Sequence, residues 1–88
     1  MRDITIYTTS TCPYCKRAKE LFRKKNLRFI EIPVDGDADA RHRMVARSHG
    51  RRTVPQIFFD DIHIGGCDDL QELARSGQLD ALLTGATP

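Results

Sequence analysis

The stretch Ile4-Thr5-Ile6-Tyr7-Thr8-Thr9-Ser10-Thr11-Cys12-Pro13-Tyr14-Cys15 decides the fold. Its first five residues alternate apolar and polar and are β-branched or aromatic, the pattern of a strand. Pro13 suits the first position of a helix, because its fixed φ and missing N–H cost nothing there. From Cys15 onward Ala18, Leu21 and Phe22 recur at helical spacing. A strand therefore runs into a helix, and the two cysteines sit at the junction.

That placement puts Cys12 at the helix N-terminus and Cys15 one turn inside. Orphan N–H groups and the positive end of the helix dipole favour a thiolate at Cys12. Lys16 and Arg17 add positive charge beside it. Cysteines in such sites have pKa values lowered to roughly 3.5–7.5, which makes Cys12 the expected nucleophile. Cys15, one turn away, is placed to attack a mixed disulfide formed on Cys12 and so to resolve it. A structural zinc site needs four ligands. Only Cys67, His42, His49 and His63 remain, without the spacing of a ligand pair, so no metal is expected.

Outward from this junction, the 88 residues make room for one domain, residues 1–88, with a compact core. A formal net charge of +2 gives no case for nucleic acid. The cluster Arg41, Arg43, Arg47, Arg51 and Arg52 reads as a solvated helix face and loop. No segment approaches the ~20 apolar residues of a membrane span, and Met1-Arg2-Asp3 leads straight into a strand without a signal-peptide core. Three cysteines form no disulfide framework, so a reducing cytoplasm is the expected compartment.

Along the chain, Lys24-Lys25-Asn26 ends the first helix with cations and a residue tolerant of the left-handed cap. Leu27 to Val34 is a mostly apolar run suited to a strand covered on both faces, with Pro33 confining it to a sheet edge. Asp35-Gly36-Asp37 opens a second helix over 38–48, whose inner face is read as Ala38, Arg41, Met44, Val45 and Ser48. Gln56 to Phe59, the turn Asp60-Asp61 and Ile62 to Ile64 read as a hairpin. A third helix follows Gly65-Gly66, then a short fourth carrying Leu79, Leu82 and Leu83, and residues 85–88 are expected to fray. This order predicts an α/β domain with a four-stranded mixed sheet, helices on both faces, and the reactive turn at the carboxyl end of the first strand.

Two further stretches bear on chemistry. Pro55 in Thr53-Val54-Pro55 either starts a strand or follows a cis peptide, which would turn the Val54 N–H and C=O outward to pair with an extended peptide. In Gly65-Gly66-Cys67-Asp68 the glycines admit a ligand close to the backbone, and a helix N-terminus behind them offers N–H groups to a carboxylate. Asp68 can cap that helix, pair with a ligand ammonium, or do both. Cys67 reads as a small packing residue near the site.

These three stretches, Cys12-Pro13-Tyr14-Cys15, Thr53-Val54-Pro55-Gln56-Ile57-Phe58 and Ile64-Gly65-Gly66-Cys67-Asp68-Asp69-Leu70, resemble those of a dithiol glutaredoxin, in that order and over nearly the whole chain. The resemblance implies a thioredoxin-like fold, a cis Pro55 and a glutathione groove built from Tyr14, Arg52, Thr53, Val54, Pro55, Gly66, Cys67 and Asp68. In it the glutathione cysteine pairs with the Val54 backbone. The γ-glutamyl carboxylate meets the Cys67 and Asp68 N–H groups, Asp68 faces the ammonium, and Tyr14 walls the groove. Many family members carry a lysine three residues before the first cysteine, for the glycyl carboxylate. Here that residue is Thr9, and Arg52 or Arg41 is the expected replacement.

The implied reaction is reduction of protein–glutathione mixed disulfides and protein disulfides, with glutathione as co-substrate and no tightly bound cofactor. The resemblance admits ribonucleotide reductase among the target proteins and implies a monomer. A thioredoxin-like donor is the nearest alternative, but the chain has no tryptophan and carries Cys-Pro-Tyr-Cys where thioredoxins carry Cys-Gly-Pro-Cys after a tryptophan. An iron–sulfur module shared by two chains is the other, and its members tend to have Gly or Ser where this chain has Pro13 or Cys15.

Overall fold

The structure, a computed structural model, describes residues 1–85. Its elements follow the order β1 (Ile4–Thr8), α1 (Pro13–Lys24), β2 (Ile30–Pro33), α2 (Ala38–Arg47), β3 (Gln56–Phe59), β4 (Ile62–Gly65), α3 (Cys67–Ser76) and α4 (Gln78–Thr84). The sheet order is β2-β1-β3-β4. The β1–β2 pair is parallel, whereas β3 runs antiparallel to both β1 and β4. Apolar alternation along β1 and β3 divides the core between the two faces of the sheet. Ile4, Ile6, Ile57 and Phe59 pack with Ala18 and Phe22 of α1, Cys67 and Leu70 of α3, and Leu79 and Leu83 of α4. On the opposite face Tyr7 and Phe58 pack with Val34 and with Ala40 and Met44 of α2.

Helix α1 buries Cys15, Ala18 and Phe22, an i, i+3, i+7 stripe. It ends as its sequence predicts: Asn26 adopts φ 58°, and Leu27 N–H donates to the Phe22 carbonyl at 2.8 Å.

Three expectations are corrected. The run from Leu27 to Val34 yields only four strand residues, and they are not covered on both faces. Leu27 and Phe29 are spent turning back onto α1, with the Phe29 ring tilted against that of Phe22, centroids 5.5 Å apart. Ile30 is 57% exposed because β2 is the sheet edge that Pro33 demands. In α2 the buried residues are Ala40 and Met44, with Ser48 as the buried C-cap. Asp37 sets this phase by capping the helix, its Oδ1 accepting from Ala40 N–H at 3.0 Å. Ala38 and Arg41 thereby rotate out of the core. Gly85, expected to fray, closes α4 at φ 76° with its N–H on the Leu82 carbonyl. Residues 86–88 lie outside the described residues.

Candidate functional site

Cys12 is the N-cap of α1, with β-region φ and ψ, and its sulfur takes the role an oxygen usually plays there. Cys15 N–H donates to Cys12 Sγ at 3.2 Å. On its other side Cys12 Sγ–H points at the Val54 carbonyl oxygen, 3.7 Å away. The Val54-Pro55 peptide is cis, as the resemblance implies. Cys12 is half-buried, whereas Cys15 is only 1% exposed, and both are free thiols.

This difference in burial separates the two sulfurs. Desolvation, followed by the hydrogen bond with Cys12, pushes the Cys15 thiol up to about 12. Cys15 therefore stays protonated at neutral pH while Cys12 faces outward. No acid occupies the first turn of α1. Arg17 instead lies over the Tyr14 ring, its guanidinium carbon 5.5 Å from the centroid. Tyr14 is held there with 53% of its surface exposed.

Beside Cys12 a hollow of about 330 Å³ is lined by Tyr14, Arg51, Thr53, Val54, Pro55, Gly66, Cys67, Asp68 and Asp69. Seven of the ten residues expected at the site line it, and Cys12 and Cys15 adjoin it through Val54 and Tyr14. Arg52 is the exception. Arg51 N–H closes a turn on the Ser48 carbonyl at 3.2 Å, and this sends Arg51 toward α3, where it pairs with Asp69 at 3.5 Å. Arg52 is left on the α2 side, in a separate depression with Arg41, His42, Val45 and Ala46. The cation on the rim is Arg51, one residue earlier than expected. Thr9 donates nothing to the hollow, and its carbonyl accepts from Cys12 N–H at 3.4 Å.

The N-terminus of α3 also differs from expectation. Its N-cap is Gly66, and Asp69 Oδ2 accepts from Gly66 N–H at 2.9 Å, the return half of a capping box. Asp68 is therefore not the cap. It stands exposed in the first turn with its carboxylate on the hollow. Gly65 has φ 114°, and a Cβ there would collide with the Asp69 carboxylate. A Cβ at Gly66 would lie 3.5 Å from the Pro55 carbonyl, across the hollow. Burial first, and then the Asp68 charge, raise the Cys67 thiol above its ordinary value, and Gln71 donates to its sulfur at 3.4 Å. Cys67 is packed and protonated, not a second nucleophile.

Among the described residues no group of three or more His, Cys, Asp or Glu side chains is placed to hold a metal ion. No described helix is long and apolar enough to cross a membrane. The arrangement provides one accessible sulfur, one buried sulfur a turn away, and a hollow with a carboxylate, a cation and unused helix N–H groups.

The Glutaredoxin family model matches residues 4–64. Glutaredoxin 3 of Escherichia coli (strain K12) is 57% identical over 83 residues, covering 94% of this chain and 99% of that protein. The solution structure of glutaredoxin from Brucella melitensis superposes with a TM-score of 0.84 at 45% identity, covering 100% of this chain and 95% of the other. The crystal structure of a buckwheat glutaredoxin–glutathione complex does so with a TM-score of 0.84 at 33% identity, covering 97% and 79%. With its fold, its paired cysteines and the matched length all in agreement, the chain belongs to the glutaredoxin family of glutathione-dependent thiol–disulfide oxidoreductases.

Proposed function

We propose that Cys12 is the nucleophile and Cys15 the resolving thiol, acting on protein–glutathione mixed disulfides and on protein disulfides. The observation that carries this reading is the Cys12 sulfur at the α1 N-cap, accepting the Cys15 N–H at the mouth of the hollow. An anionic sulfur there keeps its backbone donor and meets the positive end of the helix.

Cys12 thiolate attacks the glutathione sulfur of a mixed disulfide. The Cys12–glutathione bond forms as the protein–glutathione bond breaks, and the protein leaves as a thiolate that takes a proton from water. A second glutathione, as thiolate, attacks the bound glutathione sulfur, forms glutathione disulfide and returns Cys12 as thiolate. With a protein disulfide, Cys12 attacks one sulfur and Cys15 then loses its proton and attacks Cys12. The second protein thiol is released and a Cys12–Cys15 disulfide remains, which two glutathiones reduce.

The hollow beside Cys12 is the glutathione site in this reading. The Val54 backbone and Thr53 pair with the tripeptide, Tyr14 and Pro55 wall it, and Gly66 leaves room for it. First-turn N–H groups of Cys67 and Asp68, which have no carbonyl partner within a helix, take the γ-glutamyl carboxylate. Asp68 faces the ammonium, and Arg51, in place of Arg52, faces the glycyl carboxylate. A monomer in a reducing cytoplasm, serving targets such as ribonucleotide reductase, completes the proposal.

The test is turnover of a glutathionylated peptide, driven either by glutathione with glutathione reductase or by NADPH with thioredoxin reductase. Turnover with glutathione alone is expected. Turnover only with thioredoxin reductase would mean that the hollow does not take glutathione.

A further inference from the structure

Gln56 follows Pro55 directly, yet its carboxamide is 0% exposed. A polar side chain that deep needs partners for every donor and acceptor. Gln56 Nε2 donates to the Thr53 carbonyl at 2.9 Å and to Thr53 Oγ1 at 3.2 Å. A carbonyl oxygen only accepts, which fixes which end of the carboxamide faces Thr53. Gln56 Oε1 must then face His63, whose Nε2 lies 2.7 Å away and must carry a proton. His63 is held in turn from β4, stacked on Phe58 at 5.0 Å and beside His49 at 5.6 Å. The β4 register shifts between Ile57 and Phe58, setting Phe58 opposite His63 and Ile57 opposite Gly65. A line of hydrogen bonds thus runs from β4 through the sheet interior to Thr53, whose neighbour Val54 presents its carbonyl 3.7 Å from Cys12 Sγ.

We infer that Gln56 and His63 are positioning residues for this reaction: His63 Nε2–H orients the Gln56 carboxamide, which clamps Thr53 and so sets the Val54 edge that substrate meets. Neither side chain lines the hollow. The inference rests on the reading that the Val54 backbone pairs with the glutathione moiety, because only then does the clamp reach the reaction. Releasing Thr53 leaves its peptide plane free to rotate, and the Val54 N–H and C=O rotate with it. Binding of the mixed disulfide weakens while the chemistry at Cys12, held separately by the Cys15 N–H, continues.

The test compares His63→Leu, which has no donor, with His63→Gln, whose amide N–H restores one, and with Gln56→Met. For a glutathionylated peptide, His63→Leu is expected to raise KM about three- to tenfold, the worth of one hydrogen bond, with kcat within about twofold. His63→Gln should return KM to within about twofold of the parent. Backbone amide resonances of Thr53 and Val54 should move in His63→Leu and return in His63→Gln. Gln56→Met should behave as His63→Leu does, and if it does not fold the histidine pair carries the comparison alone. An unchanged KM in folded His63→Leu overturns the inference, and so do equal losses in the leucine and glutamine variants. Failure of the underlying reading looks different: the Thr53 and Val54 amide resonances respond to the His63 variants as expected, but forming the Cys12–glutathione mixed disulfide in a Cys15→Ser protein leaves the Val54 amide resonance unmoved.

Discussion

Two helix N-termini meet at the site, and they are finished in opposite ways. Helix α1 is capped by a sulfur, carries no acid in its first turn, and has Lys16 and Arg17 there instead. Helix α3 begins on a glycine, carries Asp68 and Asp69 in its first turn, and spends Asp69 on the Gly66 N–H. The dipole argument alone would place acids at both ends. With none in α1, the positive end of that helix is left to the Cys12 sulfur. With two at α3, Asp69 is used on the Gly66 N–H while Asp68 stands exposed on the hollow. In the proposed function, one terminus serves the reacting atom and the other a zwitterion that is held and released.

The largest effect should come from removing the reacting sulfur. Cys12→Ser should lower kcat by a factor on the order of a thousand or more with either substrate. Cys15→Ser should lose disulfide reduction yet keep most of its turnover of a glutathionylated peptide. Equal losses in the two variants would erase the division of labour between the half-buried and the buried sulfur. Next is the α3 end: Gly65→Ala forces φ 114° on a residue with a Cβ and drives that Cβ into Asp69. A loss of about 1–3 kcal/mol is expected in thermal or denaturant unfolding, and an unchanged stability would mean the Asp69 cap is dispensable.

A smaller effect separates the two arginines. Arg51→Ala should raise KM for the glutathionylated peptide by about two- to fivefold, whereas Arg52→Ala should leave it unchanged, and the reverse result would restore Arg52 to the groove. The smallest concerns pH. Cys15 at α1 and Cys67 at α3 both have thiols raised above the ordinary value, Cys15 to about 12. Between the ordinary thiol value of 9.0 and about 12 the folded state binds more protons than the unfolded one, so stability falls as pH rises. Cys15→Ala should flatten that alkaline slope more than Cys67→Ala does. Equal slopes would remove the distinction drawn between the two helix ends.

What the sequence made legible was what short-range pattern carries. A strand running into Cys12-Pro13, the hairpin around Asp60-Asp61 and the glycine pair before α3 each announce themselves within about a dozen residues. Less legible were choices between neighbours. Asp68 and Asp69 are equally good caps on paper, and only the path of Gly65-Gly66 brings Asp69 back to the N–H. Arg51 and Arg52 are chemically alike, and a turn closed on Ser48 decides which faces α3. The apolar run into β2 looked like a covered strand because apolar composition does not say that Leu27 and Phe29 belong to the α1 side. The bond from His63 to Gln56 depends on strand pairing and leaves no mark in either residue's surroundings.

The core is divided unequally between the two faces of the sheet. Ten buried residues join α1, α3 and α4 to one face of the sheet, whereas five hold α2 to the other. Ser48, at the end of α2, is buried with a hydroxyl that has no partner among the described residues. Backbone amides of α2 are therefore expected to exchange with solvent faster than those of α1 in native-state hydrogen exchange. The segment from His49 to Pro55 follows α2 directly, whereas Cys12 and Cys15 begin α1 on the more heavily packed side. An exchange order running from α2 to α1 would place the Val54 edge on the looser half of the molecule and the paired cysteines on the firmer one.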